Sequence, residues 1–400
     1  MSVATNESTQ PLSSGEFDFT DPDRYDDVER KQKRIAEFLA RKQYDGVLLQ
    51  KPANFAWFTC GAEAPRFGGD ESAASLFITP DARVVVANNV DASQLFDKQL
   101  GGLGFQLKQR PWHEDRQVLF SDLCRGRNVA SDTGVESTIN ESADIAALRL
   151  PLEPSECLRM RQLGAIVAHA VEATARHVEI GQSESEIAGQ LAHRLVRHEV
   201  QPLWSRTIAD GRGAAYRHWT AGDWTLRRWC TIAAVGSRWG LCCACARTVV
   251  LGSPPLDLVS AYQQAAMLTA TGMFFSRAGS PFSTVWQKVR RIYEKVGHPD
   301  EWQLADQAEL IGYHPRELRL LPSSDFTLKA GMPIHWHPSI GPVQFGDTLL
   351  VREEREEGGD LLTRAVEWPM LGITVRGHSV HLPDLLVREA GGATHGANGA

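Results

Sequence analysis

The apolar positions of the first 150 residues alternate between helical spacing and short apolar runs. Residues 25–41 carry apolar side chains at the spacing of an amphipathic helix. Residues 46–49 form a short apolar run typical of a buried strand, and residues 75–79 and 82–87 are strand-like runs separated by a Pro-Asp turn. This alternation predicts an α/β domain over residues 23–150.

The second part of the chain predicts longer helices and then many short strands. A stiff connector with two prolines, residues 150–154, precedes a helix from Ser155 to about Glu179. Ser183 and Glu186 have the spacing of a capping box, which predicts a second helix to about residue 200. Further elements are a hairpin over residues 229–250 with its turn at 236–238, helices over 260–277 and 281–296, and short strands from residue 333 onward. We expect a second domain over residues 151–388, and disorder in residues 1–22 and 389–400.

Composition and charge exclude several classes of partner. The net charge of -7 and the absence of a basic stripe argue against nucleic acid. No stretch of 18 apolar residues is present, so no membrane segment is expected, and residues 1–15 lack the apolar centre of a targeting signal. Seven cysteines, an odd number, favour reduced thiols. We therefore expect a cytoplasmic protein that binds neither nucleic acid nor a membrane.

Short motifs near the end of the chain resemble a known superfamily. Residues 304–317, then 328–338, then Gly346-Asp347-Thr348 follow one another, and Arg247-Thr248 closes the earlier hairpin. This layout resembles the creatinase/prolidase/methionine-aminopeptidase superfamily over about residues 25–388. The resemblance implies an α/β (α+β) fold, with a pita-bread catalytic domain preceded by a smaller creatinase-like domain. It also implies a homodimer in which the N-terminal domain packs against the partner's catalytic domain.

In the metalloenzymes of this superfamily, five side chains bind two metal ions. Two of them are aspartates eleven residues apart, the second lying three residues before an Arg-Thr pair. The five matching positions here hold Ala233, Ala244, Glu309, His337 and Gly346. Two ions held close together need several carboxylates. The resemblance therefore implies no metal cofactor, and we expect no other cofactor.

Creatinase is the precedent in this superfamily for catalysis by a histidine acting as acid and base without metal. Its histidine corresponds to the segment that contains His218, and histidine titrates near neutral pH. Other expected catalytic residues are Glu309 and His337. Expected substrate-binding residues are Arg66, Arg247, Tyr313, Arg316, His335 and Trp336. Arg66 matches a loop that, in creatinase-like dimers, reaches the partner's cavity.

Three functions remain open at this point. The first is a metal-independent hydrolase that cleaves a C–N or amide bond of a small polar molecule, although elimination, cyclisation or rearrangement would use the same proton transfer. The second is an inactive pseudo-peptidase that serves as a binding or scaffold protein, with His218 packed in the core. The third is an Xaa-Pro metallopeptidase, in which Asp223, Asp306 and Asp347 would substitute for the missing ligands.

Overall fold

The computed structural model describes residues 24–63, 72–135, 137–215, 217–218, 220–353, 359–364 and 367–389. The first part is a six-stranded sheet of order β4-β3-β2-β1-β5-β6. Its strands are β1 (Gly46–Leu49), β2 (Ser75–Ile78), β3 (Arg83–Asn88), β4 (Gln106–Arg110), β5 (Val129–Ser131) and β6 (Ile139–Asn140). Its helices are α1 (Arg24–Lys42), α2 (Pro52–Phe58), α3 (Asn89–Gln94), α4 (Gln117–Cys124) and α5 (Ser142–Leu148). The predicted α/β organisation is confirmed.

Helix α1 forms where the apolar spacing predicted it. Val28, Ile35 and Phe38 are buried on its inner face. Acidic residues lie in its first turn and Arg41 and Lys42 in its last turn, which matches the helix dipole. Beside it, every residue of β1 is buried, as expected for a strand covered on both faces.

Two long helices open the second part. Helix α6 (Pro154–His177) begins one residue before the predicted Ser155, because Glu153 and Glu156 form the capping box. Helix α7 (Glu184–Arg197) begins after Ser183, whose hydroxyl accepts from the Glu186 amide, so this predicted capping box is confirmed. Buried ion pairs join α1 to α6, and the division of the chain near residue 150 stays a prediction.

The remaining strands in the described part of the chain build a four-stranded sheet, a five-stranded sheet and two small sheets. The strands are β7 (Gln201–Ala209), β8 (Trp229–Arg238), β9 (Leu241–Leu251), β10 (Ala308–Leu310), β11 (Leu318–Arg319), β12 (Pro333–Trp336), β13 (Ser339–Ile340), β14 (Val343–Gln344), β15 (Asp347–Leu350), β16 (Asp360–Leu361), β17 (Met370–Val375), β18 (His378–Pro383) and β19 (Leu386–Arg388). The four-stranded sheet has the order β19-β9-β8-β7, the five-stranded sheet has the order β11-β10-β12-β15-β16, and the small sheets are β13-β14 and β17-β18. Helices α8 (Leu256–Phe275) and α9 (Phe282–Lys295) pack on each other, and α6 packs on β8 and β9.

The hairpin turn lies later than the sequence predicted. Trp239 and Gly240 make the turn, with left-handed φ values of 55° and 71°. Gly236 is inside β8, where a Cβ would lie 2.6 Å from Val200 and 2.9 Å from Val167. That glycine permits a close helix–sheet approach, so the prediction of a turn at residues 236–238 was wrong.

None of the helices in the described part of the chain combines the length and apolar character needed to cross a bilayer.

Candidate functional site

A cavity of about 330 Å³ lies where the four-stranded and five-stranded sheets of the second part meet. The amide of Ala246 on β9 donates to the carbonyl of Gly346, just before β15, at 2.8 Å and joins the sheets at this point. The cavity is lined by Trp204, Arg206, His218, Ala233, Ala234, Val235, Ala244, Cys245, Ala246, Glu309, His314, Pro315, Arg316, His335, His337, Gln344, Phe345 and Gly346. Its size suits a small ligand.

The five positions matched to metal ligands in the superfamily all line this cavity. Strands β8 and β9 pair Ala233 with Ala246 and Val235 with Ala244, which places the two alanines on one face. Glu309 on β10 pairs with His335 on β12, and His337 follows that strand. The β8–β9 hairpin, strand β10, the residue after β12 and the residue before β15 therefore meet at this cavity, as the resemblance implies.

The side chains at these positions do not fit a two-metal centre. Ala233, Ala244 and Gly346 provide no donor atoms. The Glu309 carboxylate is held by Arg316, whose Nε donates to Oε2 at 2.8 Å. Within the described ranges, no group of three or more His, Cys, Asp or Glu side chains is arranged to hold a metal ion. We derive no chemical step through a metal in this cavity.

Gly346 could not regain a carboxylate without a local shift. A Cβ at this residue would lie 2.8 Å from the Cβ of Ala246 and 3.4 Å from Cε1 of His335. Contacts below 3.0 Å force neighbouring atoms to move, because protein interiors are close-packed. The atoms around Gly346 at the floor of the cavity thus leave no room for a larger side chain unless they move.

Returning carboxylates to the hairpin should create metal affinity. We expect the double variant Ala233→Asp, Ala244→Asp to retain about one equivalent of Mn²⁺ after gel filtration, since Glu309 and His337 would complete a set of hard donors. The measurement is metal content by inductively coupled plasma mass spectrometry. The isosteric variant Ala233→Asn, Ala244→Asn is the control and should retain none. Equal metal in the unaltered protein would contradict our interpretation of the site.

Two buried histidines form the polar side of the cavity. The rings of His335 and His337 stack with centroids 4.9 Å apart. Burial lowers the pKa of His335 to about 3, with His337 adding to the effect. Burial also lowers the pKa of His337 to about 4. Both imidazoles are therefore neutral at neutral pH, and each ring has one nitrogen that can accept a hydrogen bond.

His337 presents a ring nitrogen that its surroundings leave unused. Its Nε2 is buried and has no hydrogen-bond partner among the described residues. The nearest carboxylate oxygen, Oε1 of Glu309, lies 3.8 Å away. An unsatisfied buried nitrogen is costly, so its retention at a cavity points to a ligand or water as partner.

His218 lies at the exposed rim of the same cavity. Partial burial lowers its pKa, and the nearby charge of Arg206 acts in the same direction. The structure thus brings together five of the predicted site residues. They are His218, Glu309, His335, His337 and Arg316.

Three other predicted substrate-binding residues lie outside this cavity: Trp336, Tyr313 and Arg247. Trp336 faces the core, because neighbouring residues of a strand point to opposite sides and His335 and His337 take the cavity side. Its Nε1 donates to Ser276 Oγ at 3.1 Å. Tyr313 is buried and donates to Glu156 Oε1 at 2.6 Å. Their expected places in the cavity were wrong.

Arg247 is a structural cation in this fold. It is fully buried and donates to Glu172 Oε1 at 3.0 Å and to Asp347 Oδ1 at 2.8 Å. Both carboxylates saturate the guanidinium, so its predicted place in the cavity was also wrong. Arg66 lies outside the described residues.

The sequence analysis missed Arg206 on β7, which lies beside Trp204. Arg206 is 1% exposed, and burial lowers its pKa to about 10. Its guanidinium lies 4.8 Å from the Trp204 ring centroid, within cation–π distance. The sequence did contain a sign that Arg206 is special, because it is the one charged residue within the β7 sequence.

Comparisons with known proteins agree with this architecture. Residues 158–353 match the model of metallopeptidase family M24. Among solved structures, the Xaa-Pro dipeptidase from Bacillus anthracis is 18% identical with a TM-score of 0.72, covering 90% of this chain and 100% of that one. The prolidase from Pyrococcus horikoshii OT3 is 18% identical with a TM-score of 0.71, covering 84% and 99%.

A subunit of a larger complex is also among the similar structures. The N-terminal domain of FACT complex subunit SPT16 from Cicer arietinum (chickpea) is 14% identical with a TM-score of 0.66, covering 84% of this chain and 97% of that chain. No curated protein matches the sequence. At these identities the likeness establishes the fold, which confirms the predicted fold class. Residues 158–353 thus carry a domain of metallopeptidase family M24, and the chain has the pita-bread fold of the creatinase/prolidase/methionine-aminopeptidase superfamily behind a smaller α/β domain.

Proposed function

We propose that this protein is a metal-independent hydrolase that cleaves a C–N or amide bond of a small polar molecule. One observation carries the proposal. The unpartnered Nε2 of His337 lies 3.8 Å from the Glu309 carboxylate, in a cavity where Ala233, Ala244 and Gly346 replace metal ligands. The match to metallopeptidase family M24 supports a hydrolase. The histidines and the glutamate that line the cavity support proton transfer by side chains.

His218 is the acid and base of the proposed reaction. Its pKa is lowered, so the neutral ring accepts a proton from water while the water oxygen attacks the carbon of the C–N bond. The same proton passes to the leaving nitrogen as that bond breaks, and histidine returns to its starting state. His337 Nε2 and Glu309 orient the water, and Glu309 stabilises positive charge that develops on His218.

Hydrolysis of small amides, guanidino compounds and dipeptides, including Xaa-Pro dipeptides, tests the proposal. We expect turnover of at least one of them to survive dialysis against EDTA. The variant His218→Asn should lower kcat by about 100-fold or more, the usual contribution of a general acid–base residue. The control is His193→Asn, an exposed histidine on α7, which should leave kcat unchanged.

Two outcomes would overturn the proposal. Loss of Xaa-Pro cleavage with EDTA and its recovery with Mn²⁺ would instead support an Xaa-Pro metallopeptidase. Binding of small molecules without any turnover would support the binding or scaffold protein. The homodimer and the cytoplasmic location expected from the sequence remain predictions.

A further inference from the structure

We propose that Arg206 anchors the substrate by a single carboxylate group. The inference rests on the proposed function, because it names the substrate class for the same cavity. It predicts that the hydrolysed molecule is a small monocarboxylic acid whose C–N bond lies near His218.

Arg206 is a buried cation without a counterion among the described residues. Its Nη1 donates to the carbonyl of Arg217, and its Nε is buried without a hydrogen-bond partner. No carboxylate in the described part of the chain forms an ion pair with it, and burial alone lowers its pKa. Burying an uncompensated charge is strongly unfavourable. A bound anion would remove that cost.

The other arginines around the cavity differ in this respect. Arg316 donates to Glu309 Oε2 at 2.8 Å and to Asp306 Oδ2 at 3.1 Å. Arg217, which lines a neighbouring pocket, donates to Glu301 Oε1 at 2.6 Å. Their charges are already balanced by protein carboxylates. Arg206 is therefore the cavity group with unused capacity for an anion.

The position of Arg206 suits an anchor. It pairs across the sheet with Ala233, one of the positions where metalloenzymes of the superfamily carry a carboxylate. The Trp204 ring, 4.8 Å away, restricts the guanidinium. A planar guanidinium with free donors matches a carboxylate in shape and charge.

The charge of the cavity favours a carboxylate over a phosphate. Arg316 is balanced by Glu309, and these two groups line the same cavity. One uncompensated positive charge remains, on Arg206, which matches a monoanion. A phosphate dianion would bring a second negative charge close to Glu309.

Binding of an isosteric pair of probes tests the anchor. N-acetylglycine carries a carboxylate, N-acetylglycinamide is its neutral counterpart, and inorganic phosphate is the third probe. We expect the acid to bind about 10- to 100-fold more tightly than the amide, the range of a charge-assisted hydrogen bond. Affinities are measured by titration in NMR spectra of the full chain at neutral pH.

Variants separate anchoring from a structural role. Arg206→Gln should abolish the preference for the acid and leave the affinity for the amide within about twofold, a difference that unfolding cannot produce. Arg206→Lys keeps the charge without the planar fork and should retain part of the preference. The control Arg290→Gln removes an exposed arginine of α9 and should change neither affinity.

Each other outcome overturns the inference. These outcomes are equal or undetectable binding of acid and amide, tighter binding of phosphate, and an acid preference that survives in Arg206→Gln. The proposed function can fail separately. In that case the acid preference depends on Arg206, but no substrate is turned over and His218→Asn has no effect.

Discussion

Replacing Lys31 by methionine should lower the free energy of unfolding by about 3–5 kcal/mol, the usual cost of breaking a buried ion pair. Lys31 on α1 is fully buried. Its Nζ lies 2.6 Å from Asp27 Oδ2 and 2.7 Å from Glu156 Oε1 on α6, and donates to the Trp57 carbonyl at 2.7 Å. Without the ammonium, two buried carboxylates would lose their shared cation.

The predicted loss of stability follows from the charges around Lys31. Burial by itself would lower its pKa, but Glu156 and Asp27 outweigh burial and the pKa is raised. Burial would raise the pKa of Asp27, but Lys31, Cys60 and Arg30 together outweigh that effect and the pKa is lowered. The charged forms are thus stabilised by one another in the folded state. Tyr313, which donates to Glu156, would also lose part of its support.

Urea unfolding followed by tryptophan fluorescence measures the free energy of unfolding that Lys31→Met loses. The matched control is Lys33→Met, which changes an exposed lysine two positions later on the same helix. We expect that control to lie within about 0.5 kcal/mol of the unaltered protein. Equal stabilities for the two variants would show that the buried network contributes nothing beyond packing.

The second large effect should be a loss of stability in acid, driven by His335 and His337. Their pKa values fall from 6.5 to about 3 and about 4 in the folded protein. Between pH 6.5 and these values the unfolded chain binds protons that the folded chain does not. Stability is therefore full above pH 6.5 and falls as the pH is lowered, by on the order of 1.4 kcal/mol per pH unit for each histidine.

Nearby acids act in the opposite direction. Burial raises the pKa of Glu172 and Asp347 above their usual values of 4.5 and 3.8. Their protonation therefore favours the folded state as the pH falls through the raised values. These acids are unchanged in the histidine variants, so comparing those variants with the unaltered protein isolates the contribution of the histidines.

Unfolding free energies measured at several pH values test this prediction. The double variant His335→Gln, His337→Gln should lose most of the slope between pH 6.5 and about 5, because glutamine does not titrate. His193→Gln on the surface of α7 is the control and should keep the slope. Identical pH profiles for all three proteins would show that the two rings are not neutral in the folded cavity.

Local patterns in the sequence were sufficient to predict most of the helices and strands. The apolar spacing of α1, the Ser183–Glu186 capping box and the short apolar run of β1 are determined by neighbouring residues. The placement of Glu309 and His337 in one cavity came from the resemblance, which carries information on distant contacts that propensities lack.

The errors arose where side-chain direction or long-range pairing decides the outcome. Trp336 lies between two cavity histidines, and the period of two along a strand turns it to the core. Gly236 indicated a turn locally, but close packing of Val200 and Val167 requires glycine there.

The order of helices and strands follows from residue spacing along the chain, which is local and periodic. The positions around the cavity were predicted from the superfamily motifs. Which arginine has no carboxylate partner is visible only in the folded chain. Arg247 contacts carboxylates 75 and 100 residues away, whereas Arg206 meets none among the described residues. The state of a buried charge depends on partners brought together by folding, and no local pattern encodes them.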